Sequence, residues 1–161
     1  MRAIRALAAE LARREMTLVY GGAHRGLMGV LADAMLASGG RVIGVIPRAL
    51  VDLEVAHHGL SELHVVETMH ERKALMFTLA EAFIVAPGGL GTLEEAFETL
   101  TGMQLGYHAK PIVFLEVDGF WAPLEAFLDH SVRAEVLRPE VRSMFRTAAS
   151  ASSALDALLA W

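Results

Sequence analysis

Short, almost unbroken apolar runs alternate with helix-length segments along the whole chain, and this alternation restricts the fold more than any other feature. The runs are Thr17 to Tyr20, Val42 to Ile46, Leu63 to Val66, Ala82 to Ala86 and Pro111 to Val117. Runs rich in Val and Ile, with no polar alternation, predict strands covered on both faces. Helical spacing predicts helices over Met1 to Glu15, Gly26 to Ser38, Thr68 to Leu79, Thr92 to Leu105, Trp121 to about Val136 and Ala154 to Trp161. Arg48 to Glu62 has no clean period and reads as a long loop, and Met144 to Thr147 reads as a short last strand. The pattern predicts an α/β fold, a Rossmann-like three-layer arrangement around a parallel sheet. In such sheets ligands bind beyond the carboxyl ends of the strands, where this chain places two glycine-rich turns.

Composition narrows the chemistry. The chain has 161 residues, so one domain over residues 1–161 is expected. It has no cysteine, which excludes disulfides, thiolate metal sites and a cysteine nucleophile. A net charge of -5 argues against nucleic acid or an anionic membrane as partner, though one loop can still bind a small phosphorylated ligand. Of the 14 basic residues other than histidine only Lys73 and Lys110 are lysine, so Schiff-base chemistry has two candidates. No run reaches the about 18–20 apolar residues of a membrane span. Glu10 interrupts the apolar stretch of the amino end, where Ile4, Leu7 and Leu11 share one helical face, so a helix and not a signal peptide is expected, with a cytoplasmic location. The histidines (His24, His57, His58, His64, His70, His108, His130) show no helical metal-ligand spacing, so no metal is expected.

Three segments carry candidate chemistry. The first turn runs Gly21-Gly22-Ala23-His24-Arg25-Gly26-Leu27-Met28-Gly29. It fits either backbone approach to an anion or a plain tight turn between strand and helix. The second is Pro87-Gly88-Gly89-Leu90-Gly91-Thr92-Leu93-Glu94-Glu95. Its glycines free the loop to wrap a phosphate, and Thr92 is expected at the helix start as N-cap or phosphate donor. Glu94 and Glu95 are expected in the first turn, where acids also complement the macrodipole. Two carboxylates beside a phosphate would repel it and are more economical if one faces a sugar. The third is Met69-His70-Glu71-Arg72-Lys73, whose charges alone would fit a solvated helix surface.

Taken together, these segments resemble the Lonely Guy family, the cytokinin riboside 5'-monophosphate phosphoribohydrolases, from Val19 to about Val132. The resemblance rests on Gly26 to Gly29, on Val42-Ile43-Gly44-Val45-Ile46-Pro47, on Met69 to Lys73 and on Pro87-Gly88-Gly89-x-Gly91-Thr92-x-Glu94-Glu95. Gln104-Leu105-Gly106, Lys110-Pro111 and Val117-Asp118-Gly119 add to it. It implies hydrolysis of the N-glycosidic bond of a nucleoside 5'-monophosphate, cytokinin riboside or AMP, to free base and ribose 5-phosphate. Carried over position by position, Arg72 and Glu95 match the catalytic pair. Glu54, Lys73, Gly89, Leu90, Gly91, Thr92, Leu93, Glu94 and Thr101 match substrate-contacting positions. The phosphate is expected on Gly88 to Thr92, with Gly21 and Gly22 also on the ligand edge. No cofactor is implied, and the usual assembly is a homodimer with sites near the interface.

The chemistry agrees with that resemblance. Cleaving an N-glycoside builds positive charge on the ribose, which a carboxylate at Glu95 can stabilise or exploit by activating water. Arg72 cannot serve as an ordinary acid at neutral pH and is given an orienting role. Members of the family have often been labelled lysine decarboxylases, but neither lysine lies in a recognisable pyridoxal site. Two departures stand out. The third glycine usual after Gly21-Gly22 is Ala23 here, which restricts the turn. The family also begins with a further strand and a Gly-Ser loop, and this chain is expected to lack them, which would leave a gap in the sheet. A misassigned start or a shortened chain is the favoured source. Two other readings stay open: a non-catalytic nucleotide or molybdenum-cofactor carrier of the same fold, and a catalytically dead subunit.

Overall fold

The structure, a computed structural model, describes residues 1–53 and 55–161, so the substrate contact expected at Glu54 lies outside the described residues. The chain divides into two compact units, Met1–Glu81 and Ala82–Trp161. Among the described residues the strands pair in parallel within two three-stranded sheets, one in each unit.

The first unit contains α1 (Arg2–Arg13), β1 (Leu18–Tyr20), α2 (Gly26–Ala37), β2 (Val42–Pro47), α3 (Arg48–Asp52), β3 (Glu62–Val66) and α4 (Met69–Leu79). Its sheet runs β1-β2-β3, with Val19 opposite Ile43 and Val45 opposite His64. Strand β2 is central and every one of its residues is buried, which is why its sequence is apolar without alternation. Helix α1 buries Ile4, Leu7, Ala8 and Leu11, one stripe at helical spacing, and packs against α2.

The second unit contains β4 (Phe83–Val85), α5 (Leu90–Gln104), β5 (Ile112–Leu115), α6 (Ala122–Arg133), α7 (Pro139–Arg142), β6 (Thr147–Ala148) and α8 (Ala151–Leu159). The order is β4-β5-β6, with β5 central and wholly buried. Phe114 anchors the core. It stacks on Phe145 at 4.0 Å between centroids and meets the Trp121 ring edge-on at 5.1 Å. Such aromatic pairs add about 0.5–1.5 kcal/mol beyond area burial. The Trp121 indole N–H donates to the Leu115 carbonyl at 3.0 Å, so the large ring is buried without an orphaned donor.

Several boundaries differ from the sequence reading. The segment Arg48 to Glu62 is not all loop: α3 opens it, and Glu62 already belongs to β3. A five-residue helix is too short to display a period. Helix α5 begins at Leu90 and not at Thr92, because Gly89 is the extended N-cap residue. Helix α8 begins at Ala151, set by a capping box between Ser150 and Ser153. The last strand sits at Thr147–Ala148 and not over Met144 to Thr147, and α7 was not anticipated.

Four helix ends share one chemistry. After α1, α2, α5 and α6 a residue at positive φ turns the chain: Glu15 (56°), Gly39 (76°), Gly106 (75°) and Glu135 (61°). At each, that residue and the next donate back to the last turn: Glu15 to Ala12 and Met16 to Leu11, Gly39 to Leu36 and Gly40 to Met35. Gly106 donates to Met103 and Tyr107 to Gly102, while Glu135 donates to Val132 and Val136 to Ser131. This is the Schellman motif, which satisfies otherwise orphaned carbonyls. Two of the four use glutamate where glycine is the low-cost residue, so α1 and α6 stop short of Glu15 and Val136 with no glycine to announce it. Glu15→Gly and Glu135→Gly are each expected to stabilise the fold by about 1 kcal/mol, and Gly39→Ala to destabilise it by a similar amount. Thermal unfolding followed by far-ultraviolet circular dichroism checks all three.

Candidate active site

In the first unit, Gly21 and Gly22 follow directly on β1, at the carboxyl edge of the sheet. The turn they open is tied to the segment after α3. The amide of His24 donates to the Val55 carbonyl and that of His57 to the Gly22 carbonyl, both at 2.9 Å, and Ala23 bridges Ala56. Ala23 is buried at 4% exposure and is not among the residues at positive φ. Replacing the family's glycine there therefore costs no backbone strain, and the expected restriction of the turn is absent.

The histidines of this edge have structural partners. His57 accepts the Gly59 amide on Nδ1 at 3.1 Å and faces the Asp33 carboxylate with Nε2 at 2.9 Å. One ring nitrogen must therefore accept and the other donate. His24 Nδ1 lies 3.2 Å from the Ala56 carbonyl, which makes it the donor. Together with His58 they border a shallow open groove. Among the described residues, no three His, Cys, Asp or Glu side chains gather as metal ligands do.

Arg72 is one of two buried polar side chains among the described residues, only 7% exposed. Its Nε donates to the carbonyl of Val45, on the central strand, at 3.2 Å. The start of α4 is fixed just before it. Thr68 is the N-cap, and its Oγ1 accepts the Glu71 amide at 3.1 Å, while the Glu71 carboxylate accepts the amide of Glu67 at 2.9 Å. That is a capping arrangement of the box type, displaced by one residue. The charged run Met69 to Lys73 is therefore not simply a solvated surface: its guanidinium is buried and Lys73 is half-buried.

In the second unit, Pro87, Gly88 and Gly89 link β4 to α5 at the carboxyl edge of that sheet. The first turn of α5 is Leu90, Gly91 and Thr92, with no acid in it. Glu94 and Glu95 lie in the second turn, so macrodipole compensation does not account for them. Thr92 is not the cap. It packs on Gly88, where a Cβ would collide with the Thr92 hydroxyl. Helical spacing puts Gly91, Glu95 and Glu98 on one line of α5 and Leu90, Glu94 and Thr101 on the next. Leu93, Ala96 and Leu100 form the side that packs into the core. Glu95 is half-buried, while Glu94 and Thr101 are exposed. His108 holds the far end of this helix. Its Nδ1 accepts the Lys110 amide at 3.2 Å, so Nε2 carries the proton donated to Thr99 at 2.9 Å.

The two glycine turns differ in what requires the glycines. In the first, Gly22 has a φ of 74°, and a Cβ on Gly21 or Gly29 would collide with the Arg72 guanidinium or the His24 carbonyl. The chain's own packing explains each of them. In the second turn, a Cβ on Gly89 or Gly91 would meet nothing within 4 Å, and neither has positive φ. A glycine inside a helix costs about 1 kcal/mol relative to alanine. Keeping one at Gly91, with open space around it, is understandable where a ligand must approach the backbone N–H groups of a helix amino end.

The family model described as possible lysine decarboxylase matches residues 28–158. Among curated proteins, the cytokinin riboside 5'-monophosphate phosphoribohydrolase of Rhodococcoides fascians is 52% identical over 134 residues, 83% of this chain and 68% of that protein. An Arabidopsis thaliana protein of the same name is 43% identical over 155 residues, 96% of this chain and 68% of its own length. Of solved structures, the molybdenum cofactor carrier protein of Chlamydomonas reinhardtii aligns with a TM-score of 0.73 at 21% identity, covering 99% of this chain and 88% of the other. The molybdenum cofactor binding protein of Rippkaea orientalis gives 0.71 at 17% identity, covering 99% and 85%. At these identities the likeness to the two structures is one of fold.

The contrast within the second turn is open to measurement. Gly88→Ala is expected to lower stability by about 1–3 kcal/mol through overpacking against Thr92. Gly91→Ala is expected to raise it by about 0.5–1 kcal/mol while weakening retention of a phosphate-bearing ligand. Thermal unfolding and calorimetric titration of the same two variants test the pair.

Proposed function

The chain belongs to the cytokinin riboside 5'-monophosphate phosphoribohydrolase family, and we propose from that membership that it is a hydrolase of N-glycosidic bonds. Its substrate is a nucleoside 5'-monophosphate with an adenine-type base, either a cytokinin riboside monophosphate or AMP. The products are the free base and ribose 5-phosphate. One observation carries this reading most directly: Gly89 and Gly91, at the amino end of α5, are required by nothing in the chain's own packing. Phosphate binding over Gly88 to Thr92 gives them a purpose, with Leu90 as the intervening position and Leu93 just beyond it.

In this mechanism the bond from C1' to the base nitrogen breaks as water adds to C1', and the electron pair leaves with the base. Positive charge develops on the ribose ring as it does in glycoside hydrolysis. The Glu95 carboxylate, set one helical turn beyond Gly91, stabilises that charge or takes the proton from the attacking water. Arg72 orients the reacting groups; it keeps its proton throughout. Lys73, Glu94, Thr101 and Glu54 serve as substrate contacts, and Gly21 and Gly22 shape the ligand edge of the first sheet. Binding energy from the phosphate holds the sugar for attack, so it is realised in turnover as well as in affinity. No cofactor or metal takes part, and no nucleic acid or membrane partner is invoked. A homodimer in the cytoplasm, each chain acting as one nucleotide-monophosphate-binding domain, completes the proposal. Among the described residues no helix is long and apolar enough to cross a membrane.

The test is release of free base from AMP and from isopentenyladenosine monophosphate, followed by chromatography. Adenosine, lacking the phosphate, is expected to be a poor substrate with a loss in kcat as well as KM. Glu95→Ala is expected to lower base release about a hundredfold or more. Full activity in Glu95→Ala would defeat the mechanism. Tight nucleotide binding with no base release from the wild type would favour the carrier reading. Amine formation from lysine with pyridoxal phosphate would favour the decarboxylase named by the family model.

A further inference from the structure

We infer that Gly21 is a positioning residue for Arg72: the missing side chain of Gly21 is the seat of the Arg72 guanidinium. The catalytic part of this inference rests on the proposed phosphoribohydrolase activity; the structural part does not.

The observations all lie within the first unit. Gly21 is buried, immediately beyond β1. A Cβ built on it would collide with Nη2 of Arg72 and stand 3.2 Å from both Cζ and the Met28 sulfur. The positive φ that explains Gly22 is absent at Gly21, so backbone conformation is not the reason for a glycine there. Nor does Gly21 face backbone, as Gly29 does beneath the His24 carbonyl. Its one hard contact is the guanidinium, and the third neighbour is the flexible tip of a methionine.

Arg72 is held from its other sides as well. Nε is anchored on the Val45 carbonyl, and the capping bonds of Thr68 and Glu71 fix the first turn of the helix that carries it. A methyl group at position 21 would therefore push the buried guanidinium by about 1.5 Å to reach ordinary contact distance. Misplacing a catalytic group by that much can cost about a hundredfold in rate. This reading gives the first glycine turn a task other than cradling phosphate: it shapes the socket of the arginine.

A double-mutant cycle tests it, with Gly21→Ala, Arg72→Ala and the double variant compared by melting temperature and steady-state kinetics. Gly22→Ala, alone and with Arg72→Ala, is the control, since a Cβ there meets Ile46 and the Val45 backbone at positive φ. Gly21→Ala is expected to lower Tm, and that loss is expected to vanish on the Arg72→Ala background, whereas the Gly22→Ala loss persists on both. Kinetically, Gly21→Ala is expected to lower kcat about ten- to a hundredfold with KM changed less than about threefold. The double variant is expected to be no slower than Arg72→Ala. If Gly21→Ala fails to fold while the double variant folds, the inference stands in its strongest form. An undiminished Tm loss on the Arg72→Ala background, or a wild-type kcat in Gly21→Ala, would overturn it. If the wild type releases no base, the proposed function fails, and the Tm cycle alone decides whether Gly21 houses Arg72.

Discussion

Burying a guanidinium is the constraint from which much of the first unit follows. Arg72 cannot shed its charge, so its removal from water must be offset by acceptors and by shape. One acceptor is a backbone carbonyl of the central strand, which requires β2 to be rigid, and β2 pairs with β1 over Val42–Gly44 and with β3 over Ile43–Pro47. The shape is supplied by a glycine at the end of β1. The approach angle is set by Thr68 and Glu71 at the start of α4. Strand, turn and helix are thus specified together by one side chain, and none of the four could be altered without loss to the others.

The second unit solves a different problem with the same element order. There the glycines do not accommodate a neighbour; they leave space. Gly88 is filled by Thr92, which tightens the loop, while Gly89 and Gly91 remain open in front of the amino end of α5. The helix accepts a poor helix former in its first turn and places its acids one turn later. An anion at the amino end and a carboxylate a turn away can then serve different parts of one ligand. The fold alone does not dictate this, since the fold is shared with cofactor carriers.

Much of this was legible from the residues. The strand runs and most helices were evident because continuous apolar strands and helical stripes are strong periodic signals. Gly39-Gly40 marked the end of α2 as expected. The ends of α1 and α6 were overrun because glutamate, at Glu15 and Glu135, occupies the left-handed position that glycine usually announces. The helix α3 was missed because so short a helix has no period. At the candidate site, motif resemblance singles out Arg72 and Glu95. It could not show that Arg72 is buried, nor that Thr92 packs on Gly88 instead of capping α5. A buried arginine and a solvated one look alike in sequence, and a cap shifted by three residues, from Thr92 to Gly89, is decided by the φ and ψ of one glycine. His108, the strap on the far end of α5, carried no signal beyond being a histidine before Lys110.

The aromatic cluster of the second unit has one more consequence. The chain's two tryptophans, Trp121 and Trp161, both belong to that unit, the first sealed in the core against Phe114 and the second near the surface with Arg146 over its ring. The first unit holds Tyr20 and no tryptophan. Indole emission is therefore a private signal of residues 82–161, and the buried Trp121 dominates its change of colour on unfolding. Set beside a whole-chain probe, it separates the melting of the unit that carries Glu95 from that of the unit that carries Arg72.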